Sequence, residues 1–216
     1  MSADFATHSD HHLANTKNDD VRYGIVAMAF HWTIAALVVI NIVLGIWFVN
    51  FLDRTDAVRP AVINWHESLG ATVLVLSILR LAWRLMNPIP KLPADFSPAK
   101  RALAHGTHYV LYALMILVPL AGWSLASVPA RPLVLFGSIP WPKIFLFANL
   151  APDAAKAAGG TLAATHILLA VSLLLLAIGH ASAAIFYHYK IRKDQILQRM
   201  VPGTDVTERG VQGPAA

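Results

Sequence analysis

Cysteine is absent from this chain of 216 residues. That excludes disulfides, thiolate-bound zinc, iron–sulfur clusters and covalently attached c-type haem, which needs a Cys-x-x-Cys-His run. Charge is scarce too. Asp, Glu, Lys and Arg make up 13% of the residues, about half the roughly 25% usual in a soluble domain, while 56% are hydrophobic. A lipid environment is therefore expected. Internal repeats and low-complexity segments are lacking. No apolar run follows a basic start, so no cleavable signal peptide is expected. Within the long apolar stretches the only acidic residue is Glu67, which argues against a transporter that moves metal ions or protons on histidines with acidic partners.

What remains is apolar length and histidine. Four apolar stretches run from Gly24 to Phe51, Ala61 to Met86, Ala104 to Val128 and Leu162 to Tyr189. Each approaches or exceeds the roughly 20 residues that cross a hydrocarbon core as a helix, and helices satisfy their own backbone polar groups in lipid. The expected fold is all-α, an integral membrane four-helix bundle over residues 22–203. A polar tail at 1–21, with His8, His11 and His12, precedes it, and a C-terminal tail at 204–216 follows. The His11–His12 pair suits a metal ion, but a solvated tail is the plainer reading. The proline-rich Pro129–Gly160 connection carries an apolar run, Ile144–Leu150, too short to span; it is expected at the interface or folded over the bundle.

The net charge of +5 is distributed for membrane anchoring, not for nucleic acid. Lys17, Arg22, Arg80, Arg84, Lys91, Lys100, Arg101, Lys190, Arg192, Lys193, Arg199 and Arg209 gather on one side. Only Arg54, Arg59, Arg131, Lys143 and Lys156 gather on the other. The positive-inside rule then puts both termini in the cytoplasm. Trp47, Trp65, Trp123 and Trp141 fall on the outer side, and Trp32 and Trp83 toward the inner side, as two aromatic belts would.

Of the 10 histidines, four lie within spans at paired depths: His66 and His166 toward the outer end, His31 and His180 toward the inner. His166 and His180 are 14 residues apart, roughly 21 Å of helical rise with only about 40° of rotation. Both rings therefore leave one face of one helix at two levels. A b-type haem takes two axial imidazoles from opposite sides, and neutral imidazole suits iron. Two haem b groups, about 20 Å apart, are expected, with these four histidines as iron ligands. Single intramembrane histidines also serve as polar links between helices, and the small residues Gly45, Gly70, Ala71, Gly122 and Ala181–Ala184 suit close helix packing as well as a flat macrocycle. Arg80 lies near the level of the inner haem, where a guanidinium would hold a propionate. Arg84 suits plain anchoring. His105, His108 and His188 sit at the cytoplasmic ends of spans as interfacial bystanders or as lining of a quinone pocket.

At Phe30-His31-Trp32, Asn64-Trp65-His66-Glu67, Arg80-Leu81-Ala82-Trp83-Arg84-Leu85, Leu103-Ala104-His105-Gly106-Thr107-His108 and His180 to His188-Tyr189, the chain resembles the bacterial cytochrome b561 family. The resemblance runs from about Arg22 to Gly203. It implies four helices in the bacterial inner membrane, two non-covalent haem b groups on His31, His66, His166 and His180, and electron exchange with ubiquinone or another quinone. It also implies superoxide as an outer-face electron donor, making the chain a superoxide:quinone oxidoreductase. Arg54, Arg59, Arg131, Lys143 and Lys156 would bring positive charge toward the outer haem, or are ordinary solvated loop charges. A homodimer or a protein redox partner is compatible with the pattern. So is the rival role of a membrane-anchor cytochrome b subunit of a hydrogenase or formate dehydrogenase.

Overall fold

The computed structural model describes residues 16–204, 206–207 and 211. The tail histidines His8, His11 and His12, and Arg209, lie outside these residues. In chain order the elements are α1 (Ile25–Asn50), α2 (Arg59–Met86), α3 (Pro98–Ser127), a short hairpin of β1 (Val134–Leu135) and β2 (Ile139–Pro140), the single turn α4 (Phe145–Ala148), and α5 (Pro152–Ser182). α5 passes without a break into π-helical winding over Ala183–Arg192, and a 3-10 turn follows at Gln198–Met200. Four helices are long and apolar enough to cross a membrane. The densest packing joins α1 to α2 and α3 to α5, and α2 to α3 connects the two pairs.

Ends and burial follow from the sequence. Pro60, Pro98 and Pro152 occupy first-turn positions, where a missing N–H costs nothing and the fixed φ suits the helix. Ser97 caps α3 by accepting a hydrogen bond from the Lys100 amide at 3.3 Å. These starts carry α3 back from Ala104 to Pro98, and α5 back from Leu162 to Pro152, so Pro152–Gly160 is helix and not loop. The apolar stretch alone ends too early because the first turns carry Lys100, Arg101 and Lys156. Mid-bundle, Ile34, Val73, Tyr112, Leu114, Met115 and Leu173 form the buried cluster. Val39, Val43, Leu79, Leu175 and Ile178 face outward and exposed, as expected of a bundle whose solvent is lipid.

The two ends of the bundle are closed differently. At one end the hairpin folds over the helices as a lid. Its turn places Phe136 (φ 51°) and Gly137 (φ 75°) in the left-handed region, the backbone a tight hairpin needs. Asn64 of α2 donates to the Val134 carbonyl at 2.7 Å and accepts from the Gly137 amide at 2.9 Å. Ser68 accepts from the Phe136 amide at 2.7 Å, and Arg131 pairs with Glu67. At the opposite, terminal end, residues 16–24 and 193–204 lie against the loop after α2. Buried Asn18 donates to the Pro88 carbonyl and accepts from the Gly24 amide, both at 2.9 Å. A Cβ on Gly24 would stand 2.5 Å from the Thr16 carbonyl oxygen, so this close approach requires glycine. Arg199 donates to the Lys91 carbonyl at 2.8 Å, and the Trp32 indole to the Met200 carbonyl at 2.6 Å.

Candidate functional site

At the hairpin end, His66 of α2 faces His166 of α5, with ring centres 6.0 Å apart and planes at 90°. Each ring is tied to the neighbouring helix in the same way. His66 Nδ1 lies 3.0 Å from the Asn41 carbonyl oxygen of α1, and His166 Nδ1 lies 3.0 Å from the Val118 carbonyl oxygen of α3. A carbonyl only accepts, so Nδ1 carries the proton and Nε2 carries the lone pair. That is the tautomer of a metal-ligating imidazole with its outer hydrogen bond in place. One turn beyond each carbonyl is a glycine that makes room for the ring. A Cβ on Gly45 would meet His66 Cε1 at 3.1 Å, and one on Gly122 would meet His166 Cε1 at 3.0 Å. These two glycines clear the imidazoles themselves, a narrower role than room for a macrocycle. Both histidines, both glycines, Asn41 and Glu67 line a cavity of about 420 Å³. Leu133, Leu135 and Trp141 of the lid segment close it. The size lies within the roughly 300–1,000 Å³ of cofactor and ligand sites.

Ring spacing supplies a test of fit. Two metal–imidazole bonds of about 2.0–2.1 Å end to end, with half a ring beyond each nitrogen, separate ring centres by roughly 6 Å. His66 and His166 meet that spacing and carry the right tautomer. The hairpin level therefore fits a bis-imidazole haem.

The terminal level brings together more groups. His31 of α1 and His180 of α5 have ring centres 6.3 Å apart, which also meets the spacing. His108 of α3 stands nearer to His180, at 5.3 Å, and its Nδ1 is 2.6 Å from the Ala104 carbonyl of its own helix. Arg80 of α2 sends Nη2 to within 3.0 Å of His31 Nδ1. A guanidinium only donates, so His31 Nδ1 accepts here and the ring proton of the neutral form sits on Nε2. A metal on His31 Nε2 requires Arg80 to give up this bond. Arg80 and Arg84 also lie over the Tyr112 ring, at 5.4 and 5.5 Å.

The three other sequence candidates fall in three settings. His108 belongs to the terminal level. His105 is exposed, stacks on Tyr109 of its own helix at 6.5 Å, and lines a shallow pocket with Lys91 and Arg101. His188 lies in the π-helical winding, stacked on Phe96 at 6.0 Å, with Nδ1 2.9 Å from an Asp194 carboxylate oxygen. Asn41, Val118, Tyr112 and Asp194 enter the site without having been singled out by sequence. Of these, Asn41 and Gly45, like Val118 and Gly122, do stand four apart one helix away from a histidine, a pattern visible once the helix pairs are known.

Fold and site together define an all-α membrane protein with histidines in facing pairs at two depths. The family model for prokaryotic cytochrome b561 matches residues 22–203. Cytochrome b561 homolog 2 of Escherichia coli strain K12 is 30% identical over 194 residues, covering 90% of this chain and 98% of that protein. The probable superoxide oxidase CybB of Yersinia pestis is 32% identical over 185 residues, covering 84% and 96%. Cytochrome b562 of Cereibacter sphaeroides is 30% identical over 186 residues, covering 83% and 94%. The chain belongs to the prokaryotic cytochrome b561 family. Membership makes it a multi-pass bacterial membrane protein of electron transfer and implies haem b.

Proposed function

We propose that the chain is a di-haem cytochrome of the bacterial inner membrane that oxidises superoxide at the hairpin end and reduces a quinone at the terminal end. Bound haem would supply reversible one-electron chemistry at each level. The observation that carries the reading is the His66–His166 pair, whose spacing and tautomers both suit axial ligation. His31 and His180 meet the same spacing and complete the second pair. With the terminal end in the cytoplasm, the bias of Lys and Arg falls on the inner side, as membrane insertion favours.

The residues have separable tasks in this reading. The Asn41 and Val118 carbonyls hold the proton on Nδ1 of their partner rings and fix the ring angles. Leu133, Leu135 and Trp141 keep water from the hairpin-level cavity. Arg80, now on His31 Nδ1, would hold a propionate carboxylate of the bound group and so leave His31 free to ligate. The overall balance is two superoxide anions and one quinone with two protons, giving two dioxygen and one quinol. The name of the Yersinia pestis relative, a probable superoxide oxidase, supports superoxide as the donor.

Among the cations expected to bring positive charge toward the outer haem, several are occupied within the fold. Arg59 donates to the Phe48 and Leu52 carbonyls, Lys143 to the Pro129 carbonyl, and Arg131 to Glu67. Arg54 and Lys156 are exposed and are the charges free to steer an anion. Stopped-flow mixing of the oxidised protein with superoxide tests this: reduction should be fast, and slower at high salt, because screening weakens steering. A slow rate indifferent to salt would instead favour a docked protein as the donor.

A further inference from the structure

α5 does not end as an α-helix. From Ala183 the winding becomes π-helical through Arg192, a rare form found frequently at functional sites. The change begins just past His180: the Ala183 amide reaches both the Gly179 and the His180 carbonyls. Wider winding turns the following side chains to angles that a continued α-helix would not give. Lys193 then takes a left-handed conformation, φ 55°, and the chain folds back, the Asp194 amide donating to the His188 carbonyl at 3.2 Å. The result is a clasp. The Asp194 side chain is fully buried, with 0% exposure. One of its oxygens accepts from His188 Nδ1–H at 2.9 Å and forms an ion pair with Arg192 Nε at 2.6 Å, and the other accepts from the Ile196 amide at 3.1 Å. Phe96 lies flat against the His188 ring, 22° from parallel, and the Arg192 guanidinium covers the Phe96 ring at 4.8 Å. His188 is thus held by a carboxylate at one nitrogen and an aromatic face on one side. Among the described residues no hydrogen bond occupies its Nε2.

We infer that Asp194 is a positioning residue that fixes His188, Nε2 outward, as the group passing protons to quinone at the terminal end. The inference rests on the reading that quinone is reduced there. In each proton transfer the His188 Nε2–H bond breaks and an O–H bond forms on a quinone oxygen. The imidazole then regains its proton from water at that face. Asp194 stays ionised throughout and stabilises the imidazolium between transfers, as a carboxylate behind a general-acid histidine does. Two such transfers accompany the two electrons from two superoxide anions, so the balance is that of the overall reaction. A buried carboxylate that faces the Arg192 guanidinium, the His188 N–H and a backbone donor is satisfied without ligand, so its cost in the fold is met. What needs explaining is its address, directly behind a ring whose far nitrogen is free.

The groups facing His188 are Asp194 and, behind it, Arg192. Tyr187 lies at 5.0 Å, its hydroxyl receiving a hydrogen bond from Lys100 at 3.1 Å. Asp95 is bound to Arg192 at 2.7 Å. Arg199, whose pKa is lowered by burial, is drawn back up by Asp194. Removing the Asp194 charge takes away the anion nearest the ring and the acceptor that holds its Nδ1–H.

The test uses the purified full-length haem protein with superoxide as donor and a water-soluble ubiquinone analogue as acceptor. Asp194→Asn should keep the haem content and the rate of haem reduction by superoxide. It should slow quinone reduction at least about tenfold at neutral pH. Asp194→Glu should restore part of the rate. His188→Gln should slow quinone reduction at least as much, and the double variant no further, because residues acting as a unit are not additive. The inference is overturned if Asp194→Asn leaves the rate unchanged while His188→Gln is slow, or if the two losses simply add. If His188→Gln itself leaves quinone reduction unchanged, the placing of quinone beside His188 fails and this inference with it. A loss of haem in Asp194→Asn that Asp194→Glu does not reverse would assign Asp194 a structural role and overturn the inference as well.

Discussion

The two histidine levels differ in how many groups compete for each ring. At the hairpin level every polar contact of His66 and His166 is a backbone carbonyl of the next helix, and a glycine one turn on makes the space. α1 with α2 and α3 with α5 repeat one arrangement: carbonyl, glycine four residues later, facing ring. At the terminal level the contacts are side chains that can move: Arg80 on His31 and His108 against His180. A level built from backbone is set once by folding. A level built from side chains can exchange partners when a carboxylate or a metal arrives. The difference suits a closed relay position at one depth and a reactive, proton-linked one at the other.

Removing a ligand should have the largest effect and separates the levels. His66→Ala or His166→Ala should cost the haem at the hairpin level and spare the other, read as loss of about half the reduced b-type absorbance. His31→Ala or His180→Ala should do the converse. His108→Ala is the sharpest probe of the terminal level, because its ring carries the ligand tautomer and lies nearer to His180 than His31 does. Retention of both haems in His108→Ala keeps His31 as the ligand. Loss of one there, with none lost in His31→Ala, would transfer the role to His108.

A smaller effect should follow from filling the two glycine notches. Ala at Gly45 or Gly122 places a methyl carbon about 3 Å from an imidazole. Overpacking of that kind costs about 1–3 kcal/mol, and here it falls on the ring that the carbonyl orients. Both variants should shift the spectrum and midpoint potential of the hairpin-level haem to a similar degree and leave the terminal level unmoved. An effect at Gly45 without one at Gly122 would break the correspondence between the helix pairs.

Much of this was legible in the residues. The 14-residue interval between His166 and His180 places two rings on one helix face at two levels, and the depths of His31 and His66 match the ring contacts with His180 and His166. The helix ends were less legible, because hydropathy falls at Lys100 and Lys156 while the prolines at 98 and 152 start the helices earlier. His105 sits with His108 in sequence, and the roughly 60° between positions three apart on a helix leaves His105 exposed while His108 is half-buried. The carbonyl contacts carry no side-chain signature at all. The clasp on His188 depends on a change of helical winding and a left-handed residue at Lys193, neither of which is announced by residue type.

The smallest effect belongs to the terminal face. The Arg192 guanidinium hydrogen-bonds to Asp95 and holds its carboxyl below the ordinary value of 3.8. With the folded pKa depressed, the pair's contribution is full above the ordinary value and disappears as pH falls through the lower folded one. Asp95 is fully exposed, so screening keeps the effect slight. Asp95→Asn should leave thermal stability at neutral pH nearly unchanged, and should narrow the difference in melting temperature between neutral pH and pH 3.

The central claim is that each pair of facing imidazoles holds one haem. Haem b per chain, measured by extraction from the purified protein and from His166→Ala and His180→Ala, tests it most directly. The account predicts about two in the parent and about one in each variant, with potentiometric titration resolving a different survivor in each. One haem in the parent, or the same surviving haem in both variants, would contradict it.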